Sequence, residues 1–323
     1  MTSMGTGKMS QTTIGVDVSK DHLDAHRLPG GDILRVTNDA KGHRQLICWF
    51  GRDVARVVFE PTSRYHRGFE AALGRAGIPF ARLHPTRARR FAEASGRLAK
   101  TDRVDAGMLA RMGALLEPEP ETPPSRTQVE LAELRRARDG LQRDRLAAAN
   151  RAGIATLALL RRQAERAARV AEKAIAEVDA AIAALIAADP VLARKAEIVT
   201  SIPGVSAVTA ATLLAEMPEI GTPGAGAAAS LTGVAPMTRE SGRWRGQAHI
   251  RGGRAALRRG LYMPALSATR CNPDLAALYQ RLRANGKPAK LALVAVMRKL
   301  VLLANALVRD DRTWEPRLLR PAA

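Results

Sequence analysis

TTIGVDVS, residues 12–19, decides how the first third of the chain is read. It is a short apolar run rich in β-branched residues, and such a run predicts a buried strand. HLDAHRL (22–28) and DILRVTN (32–38) follow it at hairpin spacing. GHRQLICWF (42–50) then reads as a helix and ARVVFEPT (55–62) as another buried strand. YHRGFEAALGRAG (65–77) predicts a helix ending at Gly77, PFARLHP (79–85) a short strand, and TRARRFAEASGR (86–97) a helix. KTDRVDAGMLARMGALL (100–116) closes the segment as a helix with apolar residues at Val104, Met108, Leu109 and Met112.

Three strands in succession, followed by strand–helix alternation, predict a mixed sheet with helices on its faces. The fold class expected is α/β plus α: a ribonuclease-H-like domain over 11–116, then helical segments. EPEPETPPSR (117–126) holds four prolines and reads as an extended linker. Residues 127–190 are dominated by Ala, Leu, Arg and Glu, strong helix formers. They predict a coiled-coil hairpin of two long helices, turning near 159–162. The same composition suits a plain helical spacer. Residues 196–316 read as mostly α. There IPGVSAVTAATLLAEM (202–217) resembles a helix-hairpin-helix element, whose turn amides meet a backbone phosphate. Residues 222–226 read as a loop, and AALRRGLYMPALSA and LALVAVMRKLVLLANALV as long helices.

Composition narrows the function. The 323 residues carry 51 Lys+Arg against 31 Asp+Glu, a formal net charge of +20, which points to a polyanionic partner, nucleic acid first. Nine lysines among the 51 bases indicate a GC-rich coding bias, but such a bias trades Arg for Lys and does not create the excess. Apolar residues at 46% suffice for buried cores, and aromatics at 3% predict aliphatic ones. Two cysteines exclude a disulfide scaffold and suit a reducing cytoplasm. Residues 1–10 lack an apolar signal core, and charges at Asp189, Arg298 and Lys299 interrupt the longest apolar runs, so no membrane partner is expected. GTGKMS lacks the glycine spacing and preceding strand of a P-loop. The six histidines are scattered without metal-ligand spacing.

Four acids stand out. Asp17 lies inside the strand IGVDV, where an uncompensated carboxylate is costly to desolvate. Glu60 ends the run VVFE, and Asp102 and Asp105 lie one helical turn apart. Converging from two strands and a helix, they would make an all-oxygen site suited to Mg²⁺. Two such ions about 4 Å apart stabilise attacking and leaving oxygens in phosphoryl transfer. Taken singly, each acid also reads as a cap or a solvated residue. The basic run 82–103, with Arg87, Arg89, Arg90 and Lys100, precedes the paired aspartates and could carry a nucleic-acid backbone there. A second run, RESGRWRGQAHIRGGRAALRR (239–259), holds seven Arg and four Gly around Ser241, among them Arg243, Arg245, Arg251, Arg254, Arg258 and Arg259. An exposed serine among arginines could attack a phosphodiester. Composition alone favours a basic nucleic-acid-binding loop. Trp244 and Tyr262 could stack on bases or pack locally.

GVDVSK, FEPTSRYH, KTDRVDAGMLA, SIPGVSAVTAATLLAE and SGRWRGQAHIRGGRAALRRGLYMPAL occur in this order across nearly the whole chain. As a set they resemble the IS110 family of insertion-sequence transposases, the bridge-RNA-guided DEDD recombinases. The resemblance implies a RuvC-like domain, a coiled-coil hairpin and a C-terminal transposase domain with a nucleophilic serine. It maps the DEDD acids onto Asp17, Glu60, Asp102 and Asp105 with Mg²⁺, and the nucleophile onto Ser241. It further implies donor and target DNA, a noncoding guide RNA and a homo-oligomer, dimer or tetramer, as partners in the cytoplasm. Ser63 stands where the family pattern would carry Gly. A RuvC-type Holliday-junction nuclease using water, and a non-catalytic nucleic-acid-binding protein, are the rival readings.

Overall fold

The computed structural model describes residues 12–316, apart from 52, 62–63, 97–101, 239, 243 and 247; of 102–104, 240, 244 and 245 it describes the backbone alone. The chain divides into two compact units, residues 1–123 and 124–323.

In the first unit, β1 (Thr12–Val18), β2 (His22–Leu28) and β3 (Ile33–Thr37) form an antiparallel meander. Helix α1 (Ala40–Phe50) leads to β4 (Val54–Phe59), which pairs parallel to β1. Helix α2 (Arg67–Arg75) leads to β5 (Phe80–Arg82), parallel to β4, and α3 (Pro85–Ala94) and α4 (Asp102–Leu116) follow. The strand order is β3-β2-β1-β4-β5. This is the mixed sheet the sequence predicts. Asp39 starts α1 by accepting the Lys41 and Gly42 amides at 2.9 and 2.8 Å, which holds its carboxyl below the usual range.

Strand alternation divides the core in two. Ile14, Val16, Leu23, Ala25, Val57 and Phe59 cluster with Leu46 and Phe50 of α1 and with Phe69 and Leu73 of α2. Val58, Ala81 and Leu83 face the other way, onto Ala88, Met108, Leu109 and Met112. Each of the larger side chains among these contributes about 1.5–3 kcal/mol when fully buried. The expectation of purely aliphatic cores is corrected here. Phe50, Phe59, Phe69 and Phe80 are all buried in this unit, and Phe59 meets Phe69 edge-on at 5.6 Å. A composition averaged over the whole chain hid four of its five phenylalanines concentrated in one core.

Two histidines give this unit an acid sensitivity. His43 is buried and shares a 2.8 Å hydrogen bond with Asn38 Oδ1; burial lowers its pKa, and so does Arg75. Burial and then Arg111 lower that of His26. The unfolded chain therefore takes up these protons first, near pH 6.5. Their contribution to stability is complete above that value and is lost as pH falls toward the lower folded values. The urea midpoint is expected to drop between pH 7.5 and 5.5, and His43→Gln to remove part of the drop. An identical pH slope in the variant would refute this assignment.

The proline-rich stretch is without helix or strand from 117 to 125 and is anchored part-way along. The Glu121 amide donates to Phe80 O at 2.7 Å, and its carboxylate accepts from the Arg82 amide and Nε, both at 2.7 Å. The segment thus extends the β5 edge, which composition could not signal. Helix α5 (Arg126–Ile154) then begins at a capping box made by Ser125 and Gln128.

The second unit is helical. Helices α5 and α6 (Ala158–Ala188) run antiparallel, bridged where Arg138 Nε and Nη2 meet the Asp179 carboxylate at 2.5 and 3.0 Å. They turn at 155–157, earlier than expected, just beyond Gly153 in the last turn of α5. Leu131 and Ile182, at the open end of this hairpin, belong to the core of the second unit. Helix α7 (Pro190–Thr200), which the sequence reading left unassigned, starts from an Asp189 cap with Pro190 in the first turn. Helices α8 (Ala207–Glu216) and α9 (Ala225–Leu231) follow, α9 beginning inside the expected 222–226 loop. Short strands β6 (Pro236–Met237), β7 (Glu240–Ser241), β8 (Trp244–Arg245) and β9 (His249–Ile250) precede α10 (Ala255–Cys271), α11 (Pro273–Ala284) and α12 (Ala289–Arg309). By length and composition α12 could cross a membrane, but Ala292, Val296, Leu300, Val301 and Ala304 are buried in this core.

Candidate nucleic-acid-processing site

The acids of the first unit collect at one end of its sheet. In β1 the alternation sends Ile14, Val16 and Val18 to one face, so Thr13, Gly15 and Asp17 face the other. Val58 shares that face and Glu60 follows two residues on. The parallel register Gly15↔Val58 and Val16↔Phe59, continued by one step, sets Asp17 beside Glu60 at the carboxyl ends of the two central strands. Both are half-buried. Ligand and catalytic groups of open α/β sheets characteristically sit at this end.

Helix α4 lies across this face. A Cβ on Gly15 would come within 2.2 Å of Ala106 O and 2.3 Å of Ala110 N, so strand and helix backbones touch directly. Gly113 meets Thr13 and Val58 near the start of β1, so α4 runs antiparallel to β1. Its first turn, with Asp102 and half-buried Asp105, therefore comes down at the Asp17 end. The Asp102 side chain lies outside the described residues, as do Ser63 and Lys100.

The donor set is carboxylate throughout and fits a hard divalent cation by chemistry. Among the described residues, no three His, Cys, Asp or Glu side chains close into a metal-holding group. The fit thus rests on donor type and shared face rather than on a finished cage. Sequence reading missed one acid of this face. Asp24 of β2 lies opposite Asp17 and is buried, with both oxygens held by Arg35 Nε and Nη2 at 2.8 and 2.7 Å. Its signal was the alternation in LDA, where Leu23 and Ala25 bury on the other face.

Ser241 lies in the second unit. The expected loop is instead a two-tiered β-hairpin: β6 pairs β9, and beyond it β7 pairs β8 with Ser241 opposite Trp244. Gly242, at φ +57°, takes the first position of the tight turn between them. Ser241 is exposed at this tip. Arg243 is outside the described residues, and only the backbone of Arg245 is described. Arg254 Nη1 donates to Glu216 O at 2.7 Å and pairs with Glu219 at 2.6 Å, and Arg258 Nη1 donates to Gly252 O at 2.7 Å. These two hold the start of α10 to its neighbours. Arg251 and Arg259 are exposed, as are Arg87, Arg89 and Arg90 on α3.

Residues 14–160 match the DEDD transposase family of the IS110 type, and residues 196–280 the family described as Transposase IS116/IS110/IS902. The chain belongs to the IS110 family of transposases. It is a DNA-processing enzyme. The first match contains Asp17, Glu60, Asp102 and Asp105, the second Ser241. Over 321 residues the chain is 26% identical to the "Pilin gene-inverting protein" of Moraxella bovis, covering 96% of this chain and 99% of that one. It is 35% identical over 144 residues to an uncharacterized 43.6 kDa protein of insertion element IS110 from Streptomyces coelicolor, covering 44% and 34%. An uncharacterized 42 kDa protein of insertion element IS900 from Mycobacterium paratuberculosis is 32% identical over 135 residues, covering 40% and 33%.

Proposed function

We propose that this IS110-family transposase is a site-specific recombinase that excises and inserts its own insertion sequence. The observation that carries the reading is the meeting of Asp17 and Glu60 at the ends of two central strands beneath the first turn of α4. In this reading Asp17, Glu60, Asp102 and Asp105 hold Mg²⁺, which when bound supplies electrophilic assistance at a DNA phosphate. Ser241 Oγ attacks the phosphorus, an O–P bond forms, and the displaced DNA oxygen leaves with a proton. Arg243, Arg245, Arg251 and Arg259, with Arg87, Arg89, Arg90 and Lys100, neutralise the backbones of donor and target DNA. A noncoding guide RNA pairs with both, so base pairing specifies sequence while the protein grips phosphates. The chain acts in the cytoplasm as a dimer or tetramer. DNA inversion is a second reading, favoured by the end-to-end likeness to the pilin gene-inverting protein. It needs the same cutting and rejoining.

The test is Mg²⁺-dependent excision from a plasmid carrying the element. Asp17→Asn, Glu60→Gln, Asp102→Asn and Asp105→Asn keep side-chain size and remove one negative charge each. Each is expected to lower excision by orders of magnitude while DNA binding persists. Wild-type excision by Asp102→Asn and Asp105→Asn would reduce that turn to solvated surface.

A further inference from the structure

We infer that Asp24 and Arg35 form a positioning pair that sets the charge around Asp17, and through it the cation affinity of the acidic face; this rests on the reading of Asp17 as a metal ligand. Register places four charged residues in one row across the sheet. Glu60 follows β4, Asp17 pairs with Asp24 of β2, and Asp24 pairs with Arg35 of β3. Directly opposed residues on antiparallel strands project to the same face, their Cα atoms roughly 4.5–5.5 Å apart. Leu23, Ala25, Leu34 and Val36 bury on the opposite face, which confirms the parity. Asp24 thus stands directly across from Asp17 on the neighbouring strand.

Two carboxylates so placed repel each other, and burial of Asp24 removes the water that would screen them. Arg35 answers this with a two-pronged grip on both Asp24 oxygens, leaving its own side chain about half-exposed. That grip occupies the oxygens Asp24 would need to serve as a ligand. It also sets one positive charge at the end of the row, which offsets the charge that Asp24 places beside Asp17. An ion pair with one partner half in solvent adds little stability. Its place directly opposite Asp17 gives it a role in tuning that site.

The test is Mn²⁺ titration of the full-length protein without DNA, followed by the electron paramagnetic resonance of free Mn²⁺, with Mg²⁺ competition and circular dichroism to verify folding. Arg35→Gln removes a positive charge from the row and should tighten Mn²⁺ binding about three- to tenfold. Asp24→Asn releases Arg35 toward Asp17 and should weaken binding by about the same factor. The double variant Asp24→Asn/Arg35→Gln loses both charges and should return within about twofold of wild type. Should Arg35→Gln fail to fold around its buried, unpaired aspartate, weakening by Asp24→Asn and its reversal in the double variant still decide the matter. Shifts of the same sign in all variants, or none, would overturn the inference provided Asp17→Asn abolishes binding. Wild-type protein that binds no Mn²⁺, or Asp17→Asn that binds it unchanged, would instead defeat the reading of Asp17 and this inference with it.

Discussion

Gly15→Ala is expected to cost several kcal/mol of stability and to abolish excision, although it adds only one methyl group. The new Cβ would lie 2.2 Å from Ala106 O and 2.3 Å from Ala110 N, well inside contact distance and against backbone on both sides. Backbone cannot rotate away as a side-chain tip can, so α4 must lift from β1. Overpacking of this kind costs typically about 1–3 kcal/mol, and more where helix and strand backbones already touch. The lift acts where the first turn of α4 meets the Asp17 end of β1, so the acidic residues part company even in molecules that stay folded. Gly140→Ala is the control. It lies in α5, its Cβ would meet nothing nearer than Arg143 Nη2 at 4.0 Å, and a helical Gly-to-Ala exchange gains about 0.5–1 kcal/mol. Urea unfolding and plasmid excision measure both variants. A wild-type midpoint for Gly15→Ala would mean that the helix is not seated on the strand as described.

The same contact shows what the sequence could and could not carry. TTIGVDV announced a strand, because β-branched apolar runs have few alternatives, but nothing in it said that α4 would seat its backbone against Gly15. The order of three strands, then strand–helix alternation, was legible because each element has its own period. Register was not. Nothing local in LDA or ILRVT says that Asp24 falls opposite Asp17 and Arg35, since pairing depends on turn lengths and on which faces bury. The anchoring of Glu121 was illegible for the same reason: composition marks a Pro-rich segment as extended, but not that a distant strand edge offers it the Phe80 carbonyl and the Arg82 guanidinium. In the basic run 239–259, charge was legible but use was not. Arg254 and Arg258 bind carbonyls and a carboxylate of their own unit, while Arg251 and Arg259 remain exposed.

Ser241→Ala is expected to remove strand cleavage altogether while leaving the fold and nucleic-acid binding intact. The serine is exposed, at the tip of a hairpin whose turn is set by Gly242 rather than by the serine side chain. Loss of one exposed oxygen should therefore change stability by no more than about 0.5 kcal/mol. In the proposed reading binding draws on many arginine–phosphate contacts, each expected to contribute a log–log salt slope of about −0.9 on duplex DNA, and the serine adds none of these. Chemistry is different, because the bond to phosphorus must form at a nucleophilic atom, and alanine offers none. The assay incubates protein, guide RNA and labelled DNA with Mg²⁺, then compares denaturing gels before and after protease. Wild type should give a protease-sensitive DNA adduct, and Ser241→Ala neither adduct nor cut strand. Cleavage by Ser241→Ala with free ends would make water the nucleophile. The acids of the first unit would then suffice for hydrolysis, and the protein would cut DNA as a resolvase does.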